Sequence, residues 1–297
     1  MSTEDVSSRF ADLDLWPTRE VVQAMLEGQL EAAAAVQSQA RLIARAAEDA
    51  AARLEGPNGR LIYVGAGTSG RIAVLDGVEL GPTFDWGGGR VAYLLAGGRD
   101  ALLSSIEGAE DDASAGEAEM RALAPASRDV VVGVAASGRT PYTIAAVRTA
   151  GAAGALTIGF ASNAGTPLLE SVAHPIPLDT GAEIVAGSTR MKAGTAQKIA
   201  LNSFSTAVMV RLGRVYAGRM VSMRLTNRKL QDRALKMICE LASVELPIAE
   251  DALERAGGDI KLAILIASGE SPEQGAASLR AAGGNLRAAM ERSKADK

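Results

Sequence analysis

The chain has 297 residues, 47% of them apolar and 3% aromatic, with a formal net charge of −4. That length suits one large domain or two smaller ones with a core of Ala, Val, Leu and Ile, and the near-balanced charge leaves no nucleic-acid footprint and no basic membrane face. One cysteine, Cys239, excludes an intrachain disulfide framework and fits a reducing compartment; one histidine, His174, leaves no His–Cys metal cluster and no Ser-His-Asp triad without it.

The polar, acidic start at 1–10 does not read as a signal peptide, and no apolar run reaches the ~18 residues of a spanning helix. Thr18 after Pro17 reads as a cap, and 19–54 as one long helix with Gly28 as its bending point. Its apolar stripe of Val22, Met25, Leu26 and Leu30 suits a neighbour, either within the chain or in a second copy. Gly56-Pro57-Asn58-Gly59 ends it. From Arg60 to about Thr180 strands and helices alternate. The strands fall at 61–64, 91–95, 130–135, 156–160 and 175–177, and the helices at 71–78, 101–107, 115–123 and 142–149. This order predicts an α/β fold, a doubly wound and mostly parallel five-stranded sheet with ligands at the strand C-termini. A further helix is expected from Ser188 to about Leu212, capped by Ser188 or Thr189. After Asn227 short helical stretches at 228–243, 247–256, 259–268, 272–283 and 285–293 read as a small bundle. The organisation expected is a helical segment at 1–56, a ligand-binding domain at 57–227 and a helical domain at 228–297.

Two turns stand out. Gly65-Ala66-Gly67-Thr68-Ser69-Gly70-Arg71 follows the first strand, and Ala136-Ser137-Gly138-Arg139-Thr140-Pro141 follows the third. Each joins a strand to a helix N-terminus, with glycines for close backbone approach and short hydroxyls beside free amides, the makings of a phosphate site. Ser69 reads as a helix cap. Gly65, Gly67 and Gly70 also satisfy G-x-G-x-x-G, but the second strand ends Leu95-Ala96-Gly97-Gly98 without the carboxylate a dinucleotide ribose needs. Two carboxylates complete the set. Glu79, late in the helix after the first turn, has apolar neighbours (Val78, Leu80, Phe84), and desolvation there would favour the neutral acid. Glu110 lies in an acidic cluster near Gly108. Such a pair suits acid–base work, although acidic clusters are usually solvated faces.

The stretches LIYVGAGTSGR (61–71), 107–112, DVVVGVAASGRTPY (129–142) and GSTRMKAGTAQK (187–198) resemble the N-acetylmuramic acid 6-phosphate etherases, from about Thr18 to Asn227 and more loosely beyond. The resemblance implies a sugar isomerase (SIS) domain and a cytoplasmic, homodimeric enzyme. It implies cleavage of the lactyl ether of N-acetylmuramic acid 6-phosphate to N-acetylglucosamine 6-phosphate and D-lactate, with no metal or other cofactor. It places the family's acid glutamate on Glu79 and its second catalytic glutamate on Glu110. Gly67, Thr68, Ser69, Ser137, Gly138 and Thr140 would hold the phosphate, and Ser188 and Thr189 would line the pocket. The sequence departs from the family at Val78-Glu79-Leu80-Gly81-Pro82, where Ala-Glu-Cys-Pro-Pro is usual, at Ser162-Asn163-Ala164, where Cys-Asn-Pro is usual, and at the N-terminal Thr-Glu-x-x-Asn signature, which keeps only Thr3-Glu4. An aldose–ketose phosphosugar isomerase on the same fold, which also needs a base at C2, and a non-catalytic sugar-phosphate regulator remain the alternatives.

Overall fold

The computed structural model describes residues 2–295; residues 1, 296 and 297, at the ends of the first and last expected segments, lie outside them. Strands β1 (Leu61–Gly65), β2 (Val91–Leu95), β3 (Val130–Val134), β4 (Leu156–Ala161) and β5 (His174–Pro177) form one parallel sheet in the order β2-β1-β3-β4-β5. Each begins and ends within one residue of the sequence reading. The reason is burial on both faces: every residue of β1, β3 and β4 is buried, so each strand reads as an apolar run, broken only by Thr157 in β4. β1 pairs with β2 on one side and β3 on the other, so successive connections leave in opposite directions between β1 and β3. A crevice at that switch point, outside the strand C-termini, is where such sheets bind ligands.

The helices are α1 (Thr18–Ser38), α2 (Ala40–Leu54), α3 (Gly67–Phe84), α4 (Ala113–Ala122), α5 (Pro141–Ala152), α6 (Pro167–Glu170) and α7 (Lys192–Arg211). The long N-terminal helix breaks at Gln39, not at Gly28. Gly28 is buried within α1 because the Lys192 stem crosses it: a Cβ there would lie 3.0 Å from Lys192 Cδ. The face of α1 that packs inward is the small-residue stripe Ala24, Gly28, Ala32 and Val36, while Val22, Leu26 and Leu30 point outward, 49%, 58% and 73% exposed. Residues 101–107 do not form the expected helix. Only a 3-10 turn, Gly98–Leu102, reaches into them, because the Arg71 guanidinium takes the carbonyls of Ala101 and Ser104 at 2.8 Å each. Helix α7 starts at Lys192, four residues later than expected, for a reason given below.

The chain divides into two compact units, residues 2–78 with 88–207, and residues 79–87 with 208–295. The second contains a two-stranded hairpin, β6 (Val215–Tyr216) and β7 (Arg219–Met220), and helices α8 (Arg228–Ala242), α9 (Leu246–Arg255), α10 (Ile260–Ala267), α11 (Pro272–Ala281) and α12 (Leu286–Ala295). Its core is Met237, Ile238, Ala252, Ala263, Ile264 and Leu286 with their neighbours. Asn227, Asp259 and Ser271 cap α8, α10 and α11 through their side chains. Among the described residues no helix is long and apolar enough to cross a membrane.

Candidate active site

The first turn closes glycine on glycine. A Cβ on Gly65 would lie 2.7 Å from Gly70 Cα, so neither position admits a side chain while α3 starts this close to β1. Gly67 opens α3 at φ +51° with nothing within 4 Å of its missing Cβ, leaving its face open to a ligand. Because α3 starts at Gly67, Ser69 is not the cap read from the sequence but a buried residue of the first turn. The amides of Gly67, Thr68 and Ser69 are there without intrahelical acceptors, as at any helix start.

The second turn is built the same way. Gly138 sits at φ +66°, and a Cβ on it would lie 2.2 Å from Thr166 Oγ1. Its carbonyl accepts from Leu168 N–H at 3.0 Å, and Ser137 Oγ accepts from Arg139 N–H at 3.2 Å. Thr140 is the N-cap residue of α5, with Pro141 behind it, but its hydroxyl makes no capping bond. Left-handed strain of about 1–2 kcal/mol and overpacking of about 1–3 kcal/mol together predict that Gly138→Ala lowers the melting temperature by about 10 °C at ~2–4 °C per kcal/mol. A thermal melt checks this, and an unchanged midpoint would mean that Thr166 does not close over the turn.

The turn before α7 completes the rim. The Glu183 carboxylate, 1% exposed, accepts from the amides of Lys192 and Ala193, both at 2.9 Å, so it rather than Ser188 or Thr189 caps α7. Those two residues are released from capping and lie half-buried in the preceding turn. A Cβ on Gly194 would meet both the Thr189 carbonyl (3.4 Å) and the Thr68 methyl (3.7 Å), so this turn borders the first glycine loop. The N-terminal segment ties the other side. Thr3, fully buried, donates its amide to Asn163 Oδ1 (3.1 Å), and Asn163 Nδ2 donates to Thr3 Oγ1 and to Ala136 O, both at 3.2 Å. Gly187 N–H donates to Thr3 O at 3.0 Å. The structure thus brings Gly67, Thr68, Ser69, Ser137, Gly138, Thr140, Ser188 and Thr189 to the C-terminal side of the sheet. Asn163 and Thr3 tie the second glycine loop to the Gly187 turn. Glu183 and Asn163 went unread in the sequence as site-building residues; for Asn163 the signal was its place two residues past the C-terminus of β4.

Glu110 is exposed on a 3-10 turn, Ala109–Asp111, that follows the β2 connection and packs against α5, the helix opened by the second loop. Arg71, one turn into α3, anchors the start of that connection. Glu79 is exposed on α3, not desolvated as expected, and it belongs to the second unit. Leu75, on the same helix face one turn earlier, is 46% exposed, and adjacent Val78 is 48% exposed. His174 is an edge histidine whose Nε2 lies 3.0 Å from Asp49 Oδ2, and Trp86 is a buried anchor. Among the described residues no cluster of His, Cys, Asp and Glu is arranged to hold a metal ion.

A parallel sheet in this order, with hydroxyl-bearing glycine turns on either side of its switch point, is the architecture of an SIS-type phosphosugar protein, and the sequence relatives assign the chain to that class. Residues 41–150 match the family model of the glucokinase regulatory protein N-terminal SIS domain. The chain belongs to the N-acetylmuramic acid 6-phosphate etherase family. It is 48% identical to the etherase of Deinococcus radiodurans over 96% of this chain and 93% of that one. It is 47% identical to that of Rubrobacter xylanophilus (97% and 95%) and 44% to that of Streptomyces coelicolor (98% and 93%). A solved phosphoheptose isomerase from Neisseria gonorrhoeae is similar at 17% identity and a TM-score of 0.47, over 66% of this chain and 98% of that one.

Proposed function

We propose that the chain cleaves the lactyl ether of N-acetylmuramic acid 6-phosphate, giving N-acetylglucosamine 6-phosphate and D-lactate. The observation that carries this reading is near-full-length identity of 42–48% to etherases, and two glycine turns at strand C-termini support it. The phosphate is held by Gly67, Thr68, Ser69, Ser137, Gly138 and Thr140, through hydroxyls and main-chain amides. Ser188 and Thr189 line the sugar side. With the ring open, the C1 aldehyde acidifies the C2 proton, which Glu110 removes. The C3–O bond to the lactyl group then breaks, the electron pair leaving with oxygen as Glu79 protonates it. Water adds across the C2–C3 double bond to restore the C3 hydroxyl. A base at C2 alone would equally serve an isomerase; an acid over C3 is what elimination adds. The reading divides the chain into a helical segment at 1–56, a phosphosugar domain at 57–227 and a helical domain at 228–297.

The enzyme works in the cytoplasm as a homodimer in this reading, with a phosphosugar as its partner and no nucleic acid. Two exposed apolar features support the dimer: the outward stripe of α1, and Leu75 and Val78 beside Glu79. Covering the latter with a second copy would take Glu79 out of water, the condition its acid role requires. Purified chain is expected to release D-lactate from N-acetylmuramic acid 6-phosphate without added metal, and none from glucosamine 6-phosphate or fructose 6-phosphate. A coupled lactate assay tests this. Isomerisation of the control sugars without lactate release would replace the etherase by the isomerase reading.

A further inference from the structure

A cavity of about 600 Å³ opens in the second unit, bordered by the segment 79–87, the stretch after the hairpin and the start of α10. Its walls carry Arg214, Arg224 and Lys261 against two carboxylates, Asp85 and Asp259. Both carboxylates are engaged. Asp259 caps α10 by accepting from Leu262 N–H at 3.1 Å, and Asp85 pairs with Arg224 at 3.1 Å where both are more than half exposed. Arg214 and Lys261 have backbone carbonyls for partners. Arg214 donates to Phe84 O at 3.3 Å and lies 5.6 Å over the Trp86 ring, and Lys261 Nζ donates to Gly284 O at 2.7 Å. Lys261 is 9% exposed, and burial, then the neighbouring Arg214 charge, push its ammonium down to about 8. Two cations share this cavity, and the Asp259 carboxylate that acts on Lys261 is already engaged at the cap of α10, so a further anion stabilises the pair. On the same wall Ser222 Oγ is buried with no hydrogen-bond partner. There α10 begins; Leu262 N–H is taken by the Asp259 cap, and the amides of Ile260 and Lys261 have no intrahelical acceptor.

We propose that this cavity binds the phosphate group of a small phosphomonoester, held by Lys261, Arg214, Ser222 and the main-chain amides of Ile260 and Lys261. A carboxylate offers two oxygens, whereas a phosphate dianion offers three to donors converging from different walls. The volume exceeds that of a phosphate ion and lies in the range of small-molecule sites, which leaves room for the group that carries it. The proposal does not rest on the etherase reading.

Binding an anion favours charged Lys261, so affinity for the dianion is full between about pH 6, where the phosphate itself protonates, and about pH 8, and is lost as pH rises through the upper value. The other charged groups lining the cavity are Arg214, Arg224, Asp85 and Asp259. Of the two tryptophans, Trp16 can be replaced by Phe in the full chain, which leaves Trp86 as a local reporter stacked under Arg214. Titration with glucose 6-phosphate is expected to change Trp86 emission saturably, and glucose is expected to leave it unchanged. Lys261→Met is expected to weaken the response at least ~10-fold, and raising the pH from 7 to 9 to weaken it by about 10-fold. Ser222→Ala, which removes only a hydroxyl, is expected to weaken it a few-fold and decides the matter if Lys261→Met does not fold. A Ser69→Ala, Ser137→Ala chain is expected to respond as the parent does, separating this cavity from the glycine loops. No saturable response, an equal response to glucose, unaltered affinity in the cavity variants, or loss of the response in the loop variant would each overturn the proposal.

Discussion

Glu110→Gln is expected to lower lactate release by about 10²–10⁴-fold, the usual contribution of a positioned proton acceptor, and to stop exchange of the C2 proton with deuterated solvent. The amide keeps the shape and the hydrogen-bonding reach of the carboxylate but cannot accept the proton. The site tolerates the change structurally, because Glu110 is exposed on its 3-10 turn. Surface substitutions of that kind shift stability by no more than about 0.5 kcal/mol, so lost activity in a chain with an unchanged melt points to chemistry. Glu79→Gln separates the two steps. It should slow lactate loss more than C2 exchange, since exchange needs only the base and departure of the lactyl oxygen needs the acid. The measurement is exchange by NMR beside lactate by coupled assay, on both variants. Equal loss of both activities in both variants would contradict the division of labour.

How far the sequence carried the fold depended on whether a feature was local. The strands were legible because a parallel strand buried on both faces is simply apolar from end to end, as at Leu61 to Val64 and Val130 to Val132. The glycine turns were legible because contacts such as Gly65 against Gly70 leave no other residue possible. Features fixed by distant partners were not. The stretch at 101–107 has helical composition, yet Arg71, thirty positions earlier, takes the carbonyls of Ala101 and Ser104. Gly28 looked like a break but is a slot for the Lys192 stem, from a helix far along the chain. The N-terminal Thr3-Glu4 carried a resemblance without a reason. The structure supplies one: Thr3 bridges Asn163 and Gly187, and so ties together two loops of the site. The apolar stripe of α1 was visible in sequence, but only the structure shows that it faces away from its own unit, with the small residues packed inward instead.

Glu183→Ala is expected to be the most destabilising single substitution near the site. A fully buried carboxylate that accepts two amide hydrogen bonds leaves, on removal, two donors of a helix N-terminus buried and unpaired. Hydrogen bonds to a charged acceptor are worth about 1.5–3 kcal/mol each, and the carboxylate also faces the positive end of the α7 dipole. A loss of about 3–5 kcal/mol follows, a fall of about 10 °C or more in the melting temperature at ~2–4 °C per kcal/mol. Glu183→Gln should recover less than half of it, because its single carbonyl can serve one amide while its NH₂ opposes the other. The damage should also reach ligand binding. Lys192, whose amide Glu183 holds, sends its ammonium to Glu31 at 2.9 Å, so the cap fixes the start of α7 and the end of the turn that carries Ser188 and Thr189. Freed from the cap, that turn should loosen, raising KM by more than it lowers kcat, since neither hydroxyl is assigned a proton transfer. Thermal melts and initial-rate kinetics on the two variants check both parts. An alanine variant that melts with the parent would show that water can replace the carboxylate at the head of α7.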